Sequence, residues 1–406
     1  MKILVINSGS SSIKFRLVES SSGEAIASGL LERIGLEQGR MEYRVRNGDK
    51  NVIEKPIPNH RTGLEMLLEM LVDPAAGALA SLGEIGAVGH RVVHGGEKFT
   101  DSVAIGPEVI AKLEECSAMA PLHNPPNLLG IRASMDALPG VPNVAVFDTA
   151  FHQTMPPVAY VYPLPWSVYE EKRMRRYGFH GTSHQYVAMQ TARILGRPLE
   201  DLCLVVCHLG NGSSITAVKD GRSVDTSLGY GTMCGVMMGT RSGDVDPAIL
   251  LDLIENHGMT VSEVKDMVYK RSGLLGVSGV SSDMRDVEAA AAAGNERAAL
   301  ALDLFADKVR KHIGAYAVTM GRLDAIAFTA GIGENGPEMR GMICRGLEVL
   351  GARIDPEANR VRGVEKVISA KDSRVSILVV PTNEELMIAR ETERVLSKEG
   401  KPGARP

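Results

Sequence analysis

Two short stretches of this chain share one pattern, and that pattern constrains the fold more than any other feature. VINSGSSSI occupies residues 5–13, and VCHLGNGSSI occupies residues 206–215. In each, an apolar run leads into small polar residues and then into a second run, which predicts a β-hairpin with a Gly/Ser turn. Because the pattern recurs about half a chain length later, it indicates duplicated domains whose hairpins face one another.

The first turn, residues 7–12, has two interpretations. It could simply close a hairpin, or it could bind an anion, because six small polar residues offer several backbone N–H groups and hydroxyls. A Walker loop is excluded, since its lysine leads into a helix, whereas Lys14 lies inside the second strand. In the second hairpin the matching residues are His208, Asn211, Gly212 and Ser213. Two such facing turns would hold a polyphosphate between them.

Composition narrows the class of partner. A chain of 406 residues with 44% hydrophobic residues is an ordinary globular protein of two or three domains. A net charge of −4 and 4% aromatic residues argue against nucleic-acid and anionic-membrane partners. The N-terminal apolar run ends at Asn7, which is short for a signal peptide, and no apolar run of about 18 residues follows, so we expect a cytoplasmic protein without a membrane partner. The five cysteines are expected to be reduced and mostly buried.

The rest of the chain alternates between strand and helix patterns. Residues 323–347 and 376–396 each read as strand, loop and helix, with Pro337 at an early helical position. Further helices are predicted over 183–195, with Ser183 as the cap, over 246–257 and through the Ala-rich 286–320. The alternation indicates a largely parallel sheet, with ligands bound beyond the carboxyl ends of its strands.

Charged residues stand where such a ligand would lie. Arg91 ends a strand and Arg241 lies between glycines, so each is either a solvated arginine or a bidentate partner of a carboxylate or phosphate. Asp148 and Glu384 follow apolar strands. Each is either a helix cap or ion-pair member, or a partner of Mg²⁺ beside phosphate oxygens.

His180 and His184 have the spacing of a zinc-binding helix. No glutamate follows His180 and a glycine lies between the two, which argues against a zinc hydrolase. His184 is predicted to be a structural residue within the helix. His180 precedes that helix and is predicted to donate a hydrogen bond to an anion.

The chain also resembles the acetate kinase family across essentially its full length. Eight stretches carry the resemblance, in the family's order and spacing: ILVINSGSSSIK, VGHRVVHGG, FDTAFH, YGFHGTSH, HLGNGSSITAVKDG, MGTRSGDVDP, TAGIGENG and PTNEE. The resemblance implies an α/β fold of duplicated RNase H-like domains of the actin/Hsp70 type, with a central mixed sheet and the nucleotide in the interdomain cleft. It places the first domain at 1–150 plus about 385–406, and the second, the nucleotide and dimer domain, at 151–384.

The same resemblance implies a homodimer that transfers a phosphoryl group reversibly and in line from ATP to acetate, giving ADP and acetyl phosphate, with Mg²⁺ as cofactor and Mn²⁺ able to substitute. Asn7 and Glu384 would hold the metal. The catalytic residues implied are Arg91, Asp148, His180 and Arg241. The nucleotide would contact Ser10, Ser12, Lys14, His208, Leu209, Gly210, Asn211, Gly212, Asp283, Met284, Arg285, Gly331, Ile332, Gly333, Glu334 and Asn335. The acid would contact Arg91, Val93, Leu122, Phe179 and Thr232.

This chemistry is physically coherent. A carboxylic acid is ionised at pH 7, so its attack on a phosphate needs no general base. The difficulty is bringing two anions together, which positive charge and alignment overcome. We therefore expect Asp148, the acid/base residue of the family, mainly to orient the substrate or Mg²⁺-bound water.

One departure from the family pattern bears on the acid. Thr232, in GTMCG, stands where many relatives have a proline that lines the methyl pocket. A propionate or short-chain acyl kinase is therefore the nearest alternative, since one methylene is worth only about 1–3 kcal/mol of discrimination. An actin- or Hsp70-like ATPase module is the remote alternative.

Overall fold

The computed structural model describes residues 1–46 and 48–399. The chain divides into two compact units. The first comprises Met1–Phe151 together with the segment that begins at Asn383, and the second comprises His152–Thr382. Residues 400–406 of the predicted first domain lie outside the described residues.

Each unit is built on one sheet. The strands are β1 Lys2–Ser8, β2 Ser12–Glu19, β3 Glu24–Glu32, β4 Gly39–Val45, β5 Lys50–Lys55, β6 Ile85–Val92, β7 Val103–Ala104, β8 Asn143–Phe147, β9 Cys203–Leu209, β10 Ser213–Lys219, β11 Arg222–Thr226, β12 Ala325–Thr329, β13 Lys366–Val367 and β14 Ser376–Val379. Over the described residues, the first sheet has the order β5-β4-β3-β2-β1-β6-β8-β7 and the second has the order β11-β10-β9-β12-β14-β13.

Helices cover these sheets. They are α1 His60–Leu71, α2 Pro107–Cys116, α3 Asn124–Ala137, α4 Pro157–Tyr160, α5 Trp166–Lys172, α6 Gly181–Leu195, α7 Pro247–Glu255, α8 Val261–Lys270, α9 Gly273–Ser278, α10 Met284–Ala292, α11 Glu296–Met320, α12 Ala330–Asn335, α13 Pro337–Cys344 and α14 Glu384–Glu399. Within residues 1–46 and 48–399, no helix has both the length and the apolar character that a membrane span needs.

The duplication is visible in strand order. In both sheets, three strands pair antiparallel as a meander, and two further strands run parallel to the first strand of that meander. The strands β3-β2-β1-β6-β8 in the first unit therefore correspond to β11-β10-β9-β12-β14 in the second. The predicted duplicated α/β fold with mixed sheets is confirmed.

Burial explains these strands. Residues 3–6 of β1 are all buried, as expected for a strand covered on both faces, here by α3 and by α14. β2 instead alternates, with Ile13, Phe15 and Leu17 in the core and Lys14 exposed. In the second unit β9 and β12 are buried throughout, and α6 and α11 pack on β9.

Three expectations need correction. The sheets are not largely parallel, because each Gly/Ser turn returns the chain as a hairpin, and hairpin strands pair antiparallel. Ser183 does not cap its helix, since α6 begins at Gly181 and the Ser183 hydroxyl instead lies 2.8 Å from a ring nitrogen of His208. The Ala-rich segment is two helices, because the chain turns at Gly294, whose φ is 93°.

The cysteines are as expected. All five are free, and Cys116, Cys203, Cys207 and Cys344 are buried while Cys234 is partly exposed. Burial raises the pKa of the Cys344 thiol to about 12, so this thiol stays protonated and unreactive.

Candidate active site

The first Gly/Ser turn joins β1 to β2 and is held by neighbouring side chains. The Gly9 N–H donates to the Ser12 carbonyl across the turn at 2.8 Å. A ring nitrogen of His60 lies 2.7 Å from the Gly9 carbonyl, and the Asn127 side-chain amide donates to the Ser8 carbonyl at 2.8 Å. Ser10 is exposed at the tip. The turn is thus fixed in place while its outer hydroxyl faces solvent, as an anion-binding turn requires.

Four predicted residues converge at the carboxyl ends of β1, β6 and β8. Arg91 donates to both carboxylate oxygens of Asp148, at 2.9 and 2.5 Å. The Arg91 guanidinium also donates to the Asn7 side-chain oxygen at 3.4 Å and lies 4.0 Å from a Glu384 oxygen. Asp148 is only 1% exposed. The structure therefore gathers an arginine, two carboxylates and an amide oxygen into one cluster of the first unit.

The pKa values of Arg91 and Glu384 are both raised, which favours the charged form of the arginine and the neutral form of the glutamate. Burial would lower the pKa of Arg91, but the carboxylates of Asp148 and Glu384 outweigh it and raise that pKa above its usual value. Burial raises the pKa of Glu384, and the negative charge of Asp148 adds to the rise, while Arg91 opposes it. The arginine therefore stays protonated. For Glu384, a further cation beside the carboxyl would lower its raised pKa and favour the ionised form.

Lys14 lies on β2 and is half-exposed. Its ammonium group pairs with Glu385, the residue that follows Glu384 at the start of α14. Arg16 adds a second positive charge 3.7 Å from the other oxygen of Glu385. Burial raises the pKa of Glu385, but these two cations outweigh it, so that pKa lies below its usual value.

The second Gly/Ser turn joins β9 to β10. The Gly210 N–H donates to the Gly212 carbonyl and to the Ser213 hydroxyl, both at 3.2 Å. The Asn211 carbonyl accepts from the Gly239 N–H at 3.1 Å. A Cβ on Gly239 would lie 2.0 Å from the Asn211 side-chain oxygen, so a larger residue there would displace the Asn211 side chain. The loop of residues 238–241, which carries Gly239 and Arg241, and this turn therefore form one surface of the second unit.

His180 and Arg241 stand at that turn. A Cβ on Gly212 would lie 3.2 Å from Nη2 of Arg241 and 3.7 Å from Cε1 and Nε2 of His180. The His180 ring stacks on His208, with centroids 4.2 Å apart. Arg241 donates to the Thr232 carbonyl at 2.6 Å, and burial lowers the pKa of Arg241. The predicted phosphate-stabilising side chains of the second unit are thus adjacent.

The four apolar or small residues predicted for the acid differ in exposure. Val93 and Phe179 are buried, Thr232 is partly exposed, and Leu122 is 72% exposed. Val93 and Leu122 belong to the first unit, while Phe179 and Thr232 belong to the second.

A cavity of about 490 Å³ lies in the second unit, within the range of small-molecule sites. Eight predicted residues line it: Gly210, Asn211, Asp283, Met284, Arg285, Gly331, Ile332 and Asn335. Asp283 caps α10, and its hydrogen bonds from the Arg285 side chain and N–H lower its pKa to about 2. Glu334 instead accepts hydrogen bonds from the Ala330 and Thr382 N–H groups, at 2.8 and 3.1 Å.

Sequence reasoning missed four residues of this cavity: Ser282, Glu288, Gly336 and Arg362. Glu288 is notable because its Oε1 is buried without a hydrogen-bond partner, and burial raises its pKa. The sequence pattern around these residues gives little indication of a site, since Glu288 lies in an Ala-rich helix and Arg362 lies in a loop about 30 residues past the Gly-rich segment. Glu288 is therefore an added candidate for contact with a ligand's N–H or O–H group.

The described residues hold no group of three or more His, Cys, Asp and Glu side chains arranged for a metal ion. His180 and His184, which share zinc-helix spacing, both bond instead to the Ser214 hydroxyl.

Comparison with known proteins gives these residues a context. The profile of the acetokinase family matches residues 2–390. Acetate kinase of Caldanaerobacter subterraneus subsp. tengcongensis is 56% identical over 397 residues, which cover 98% of this chain and 99% of that protein. The crystal structure of Porphyromonas gingivalis acetate kinase has a TM-score of 0.95 at 48% identity, and a propionate kinase from Francisella tularensis subsp. tularensis SCHU S4 has 0.90 at 43%. Each alignment covers 97% of this chain and 99% of the other.

Proposed function

The chain belongs to the acetokinase family, and we propose that it catalyses the reversible transfer of a phosphoryl group from ATP to acetate, giving ADP and acetyl phosphate. The observation that carries the proposal is the turn of the second hairpin, where His180 and Arg241 both lie beside Gly212. A backbone turn, an imidazole and a guanidinium together suit the developing charge of a transferring phosphoryl group.

The acid would bind at the cluster in the first unit. Arg91 is the cation there, and its planar fork suits a carboxylate. Acetate is already ionised at neutral pH, so no residue has to remove a proton from it. Asp148 is tied to Arg91 by two hydrogen bonds, so we assign it the role of orienting Arg91 and, through it, the substrate. The carboxylate would then attack the γ-phosphorus directly and in line.

Mg²⁺, with Mn²⁺ able to substitute, would be held by Asn7 and Glu384. Their side-chain oxygens both approach Arg91, and Mg²⁺ commonly takes one or two such protein oxygens and completes its shell with phosphate oxygens and water. The raised pKa of Glu384 fits this role, since a cation beside it would favour the ionised form. When bound, the metal would neutralise charge on the phosphates.

The nucleoside would occupy the 490 Å³ cavity of the second unit, beside the Gly-rich α12. Ser10, Ser12 and Lys14 from the first hairpin, and residues 208–212 from the second, would contact the phosphates. Gly333 and Glu334 would support nucleotide binding indirectly, by fixing the backbone of α12. The Glu334 carboxylate already accepts hydrogen bonds from the Ala330 and Thr382 N–H groups.

Acetate is proposed as the preferred acid because the curated relatives at 53–56% identity are acetate kinases. Val93, Leu122, Phe179 and Thr232 would surround its methyl group. Propionate is the second candidate, because a propionate kinase is 43% identical to this chain and because the family resemblance implies that Thr232 stands in place of a proline.

We further propose a cytoplasmic homodimer formed through the second unit. α7 has no buried residue, and its Ile249 and Leu251 are more than half exposed. Trp166 of the same unit is 59% exposed. We propose that these side chains contribute to an apolar patch that a second copy of the chain covers, since contiguous exposed apolar patches are typical of protein interfaces.

The proposal is tested by trapping acyl phosphate with hydroxylamine, using Mg²⁺–ATP and acetate, propionate or butyrate in parallel. We expect strong acetate-dependent product that falls with each added methylene. Equal or greater product with propionate would move the assignment to a broader short-chain acyl kinase. ATP hydrolysis without any dependence on an acid would contradict the kinase function and favour an actin-like ATPase module.

A further inference from the structure

The Ser214 hydroxyl joins two histidines of the second unit. Its Oγ lies 2.8 Å from Nδ1 of His180 and 2.7 Å from Nε2 of His184. Ser214 and His184 are fully buried, while His180 is partly exposed at the N-terminus of α6. Since a hydroxyl has one proton, it can donate to one ring nitrogen only and must accept from the other.

The surroundings of His184 decide the direction of these bonds. Burial lowers the pKa of His184 well below its usual value, and the nearby His152 and His208 lower it further, so this ring is neutral and carries one N–H. Its Nδ1 is buried and has no hydrogen-bond partner. A buried N–H without an acceptor is rarer than an unsatisfied acceptor. The proton of His184 therefore belongs on Nε2, where it donates to Ser214.

The donor in the His184–Ser214 hydrogen bond determines the donor in the Ser214–His180 hydrogen bond. Because Ser214 accepts from His184, its own proton is donated to Nδ1 of His180. The N–H of a neutral His180 must consequently be on Nε2. That nitrogen lies on the side of the second Gly/Ser turn, 3.7 Å from the position of a Cβ on Gly212.

We propose that Ser214 and His184 are positioning residues that hold His180 in its Nε2–H tautomer, so that a neutral His180 presents a proton donor to the transferring phosphoryl group. The mechanistic part of this inference rests on the proposed function; the tautomer itself does not. The reverse order of bonds would place the His184 proton on its unpartnered, buried Nδ1. It would also turn a lone pair of His180 toward anionic phosphate oxygens.

The first test is the tautomer, measured by ¹⁵N NMR on full-length, histidine-labelled protein without substrates, with the His180 signals assigned from a His180→Gln sample. We expect the proton of neutral His180 on Nε2 in the wild type, and a mixture of tautomers in Ser214→Ala. Thr216→Val is the matched control. Thr216 lies on the same face of β10, is equally buried and bonds to Thr226 at 2.9 Å, so its loss should leave the His180 signals unchanged. An Nδ1–H tautomer in the wild type would overturn the inference even if no variant folds.

The second test is kinetic. Ser214→Ala should lower kcat about 10- to 100-fold, the range seen for outer-shell partners of metal-bound histidines, with the KM for ATP little changed. His184→Gln, whose amide can still donate to Ser214, should retain more activity than His184→Leu. Equal activity of these two variants, or wild-type kcat in Ser214→Ala, would refute the positioning role of Ser214 and His184. If the wild type makes no acetyl phosphate, the proposed function fails, and the NMR result still decides the tautomer.

Discussion

The two Gly/Ser hairpins share a fold but not their surroundings. In the first unit the turn stands beside carboxylates, with Asp148 and Glu384 grouped around Arg91. In the second unit the corresponding turn stands beside Arg241 and His180, which stacks on a further histidine. The same strand arrangement therefore places carboxylates beside one turn and an arginine and two histidines beside the other.

The difference comes from the strand ends. In the first unit Arg91 is the penultimate residue of β6, and Asp148 directly follows β8. In the second unit β12, the counterpart of β6, runs into the Gly-rich α12 beside the cavity. Sheet order is set by apolar core residues, so residues at the carboxyl ends of strands can change without changing the fold. We propose that the metal and the acid bind at the first hairpin and the phosphoryl group at the second, and the following variants test that division.

The largest effect is expected at Arg241. Arg241→Ala removes the guanidinium beside Gly212 and should lower kcat by roughly 10³–10⁵, as for other arginines that stabilise a phosphoryl transition state. Initial rates at saturating ATP and acetate measure this. Arg353→Ala, which removes an exposed ion pair with Asp372, is the control and should be silent. A loss of less than about tenfold would break the assignment of the second turn to phosphoryl transfer.

Arg91→Ala should act mainly on the acid. We expect the KM for acetate to rise about 10- to 100-fold, the cost of losing a hydrogen-bonded charge, with a smaller change in the KM for ATP. The variant also leaves the buried Asp148 without its partner, so the free energy of unfolding should fall by about 3–5 kcal/mol in urea titrations. Adding Asp148→Ala should restore part of that stability. An unchanged KM for acetate would show that the first cluster does not bind the acid.

A smaller effect is expected at Thr232. Thr232→Pro restores a rigid apolar wall and should raise the ratio of kcat/KM for acetate over propionate by up to about tenfold, within the value of one methylene. The Arg241 hydrogen bond to the Thr232 carbonyl is retained by proline. Thr232→Val, which is apolar but lacks the ring, separates rigidity from polarity. No change in either variant would place the acid's methyl group elsewhere.

Glu384 and Glu385 are neighbours with opposite pKa shifts, and they provide the finest test. The pKa of Glu384 is raised in the folded state, so its ionisation destabilises the fold as the pH rises above the usual 4.5; Glu384→Gln should therefore stabilise the protein at pH 7. The pKa of Glu385 is lowered by Lys14 and Arg16, so its contribution is present above 4.5 and is lost as the pH falls through the folded pKa.

Glu385→Gln should therefore destabilise at pH 7. The Glu384 effect should fade toward about pH 4, where its carboxyl is protonated in both states, whereas the Glu385 effect should begin to shrink there and disappear only below the folded pKa of Glu385. Urea unfolding at the two pH values, without Mg²⁺, measures both variants. The same sign for both at pH 7 would contradict the electrostatic description of the first cluster.

Local patterns predicted much of this molecule and failed where contacts are distant in sequence. The hairpins, the strand ends with Arg91 and Asp148, and most of the cavity's Gly-rich segment follow from short motifs. The pairing of Lys14 with Glu385 does not, because it depends on α14 returning to the first sheet from the end of the chain. The bonds of Ser214 to two histidines likewise depend on how α6 packs on the second sheet.

The central claim is direct attack of the acid on ATP, with no side chain taking the phosphoryl group in between. We infer it from two observations. Asp148 is hydrogen-bonded to Arg91, so it is not free to accept a phosphoryl group, and the second turn is flanked by Arg241 and His180, which we propose as hydrogen-bond donors to that group. The most direct measurement is the stereochemical course at phosphorus, using ATP made chiral at the γ-phosphate with oxygen isotopes. Inversion in acetyl phosphate is the predicted result. Retention would require a phosphorylated enzyme intermediate and would contradict the account.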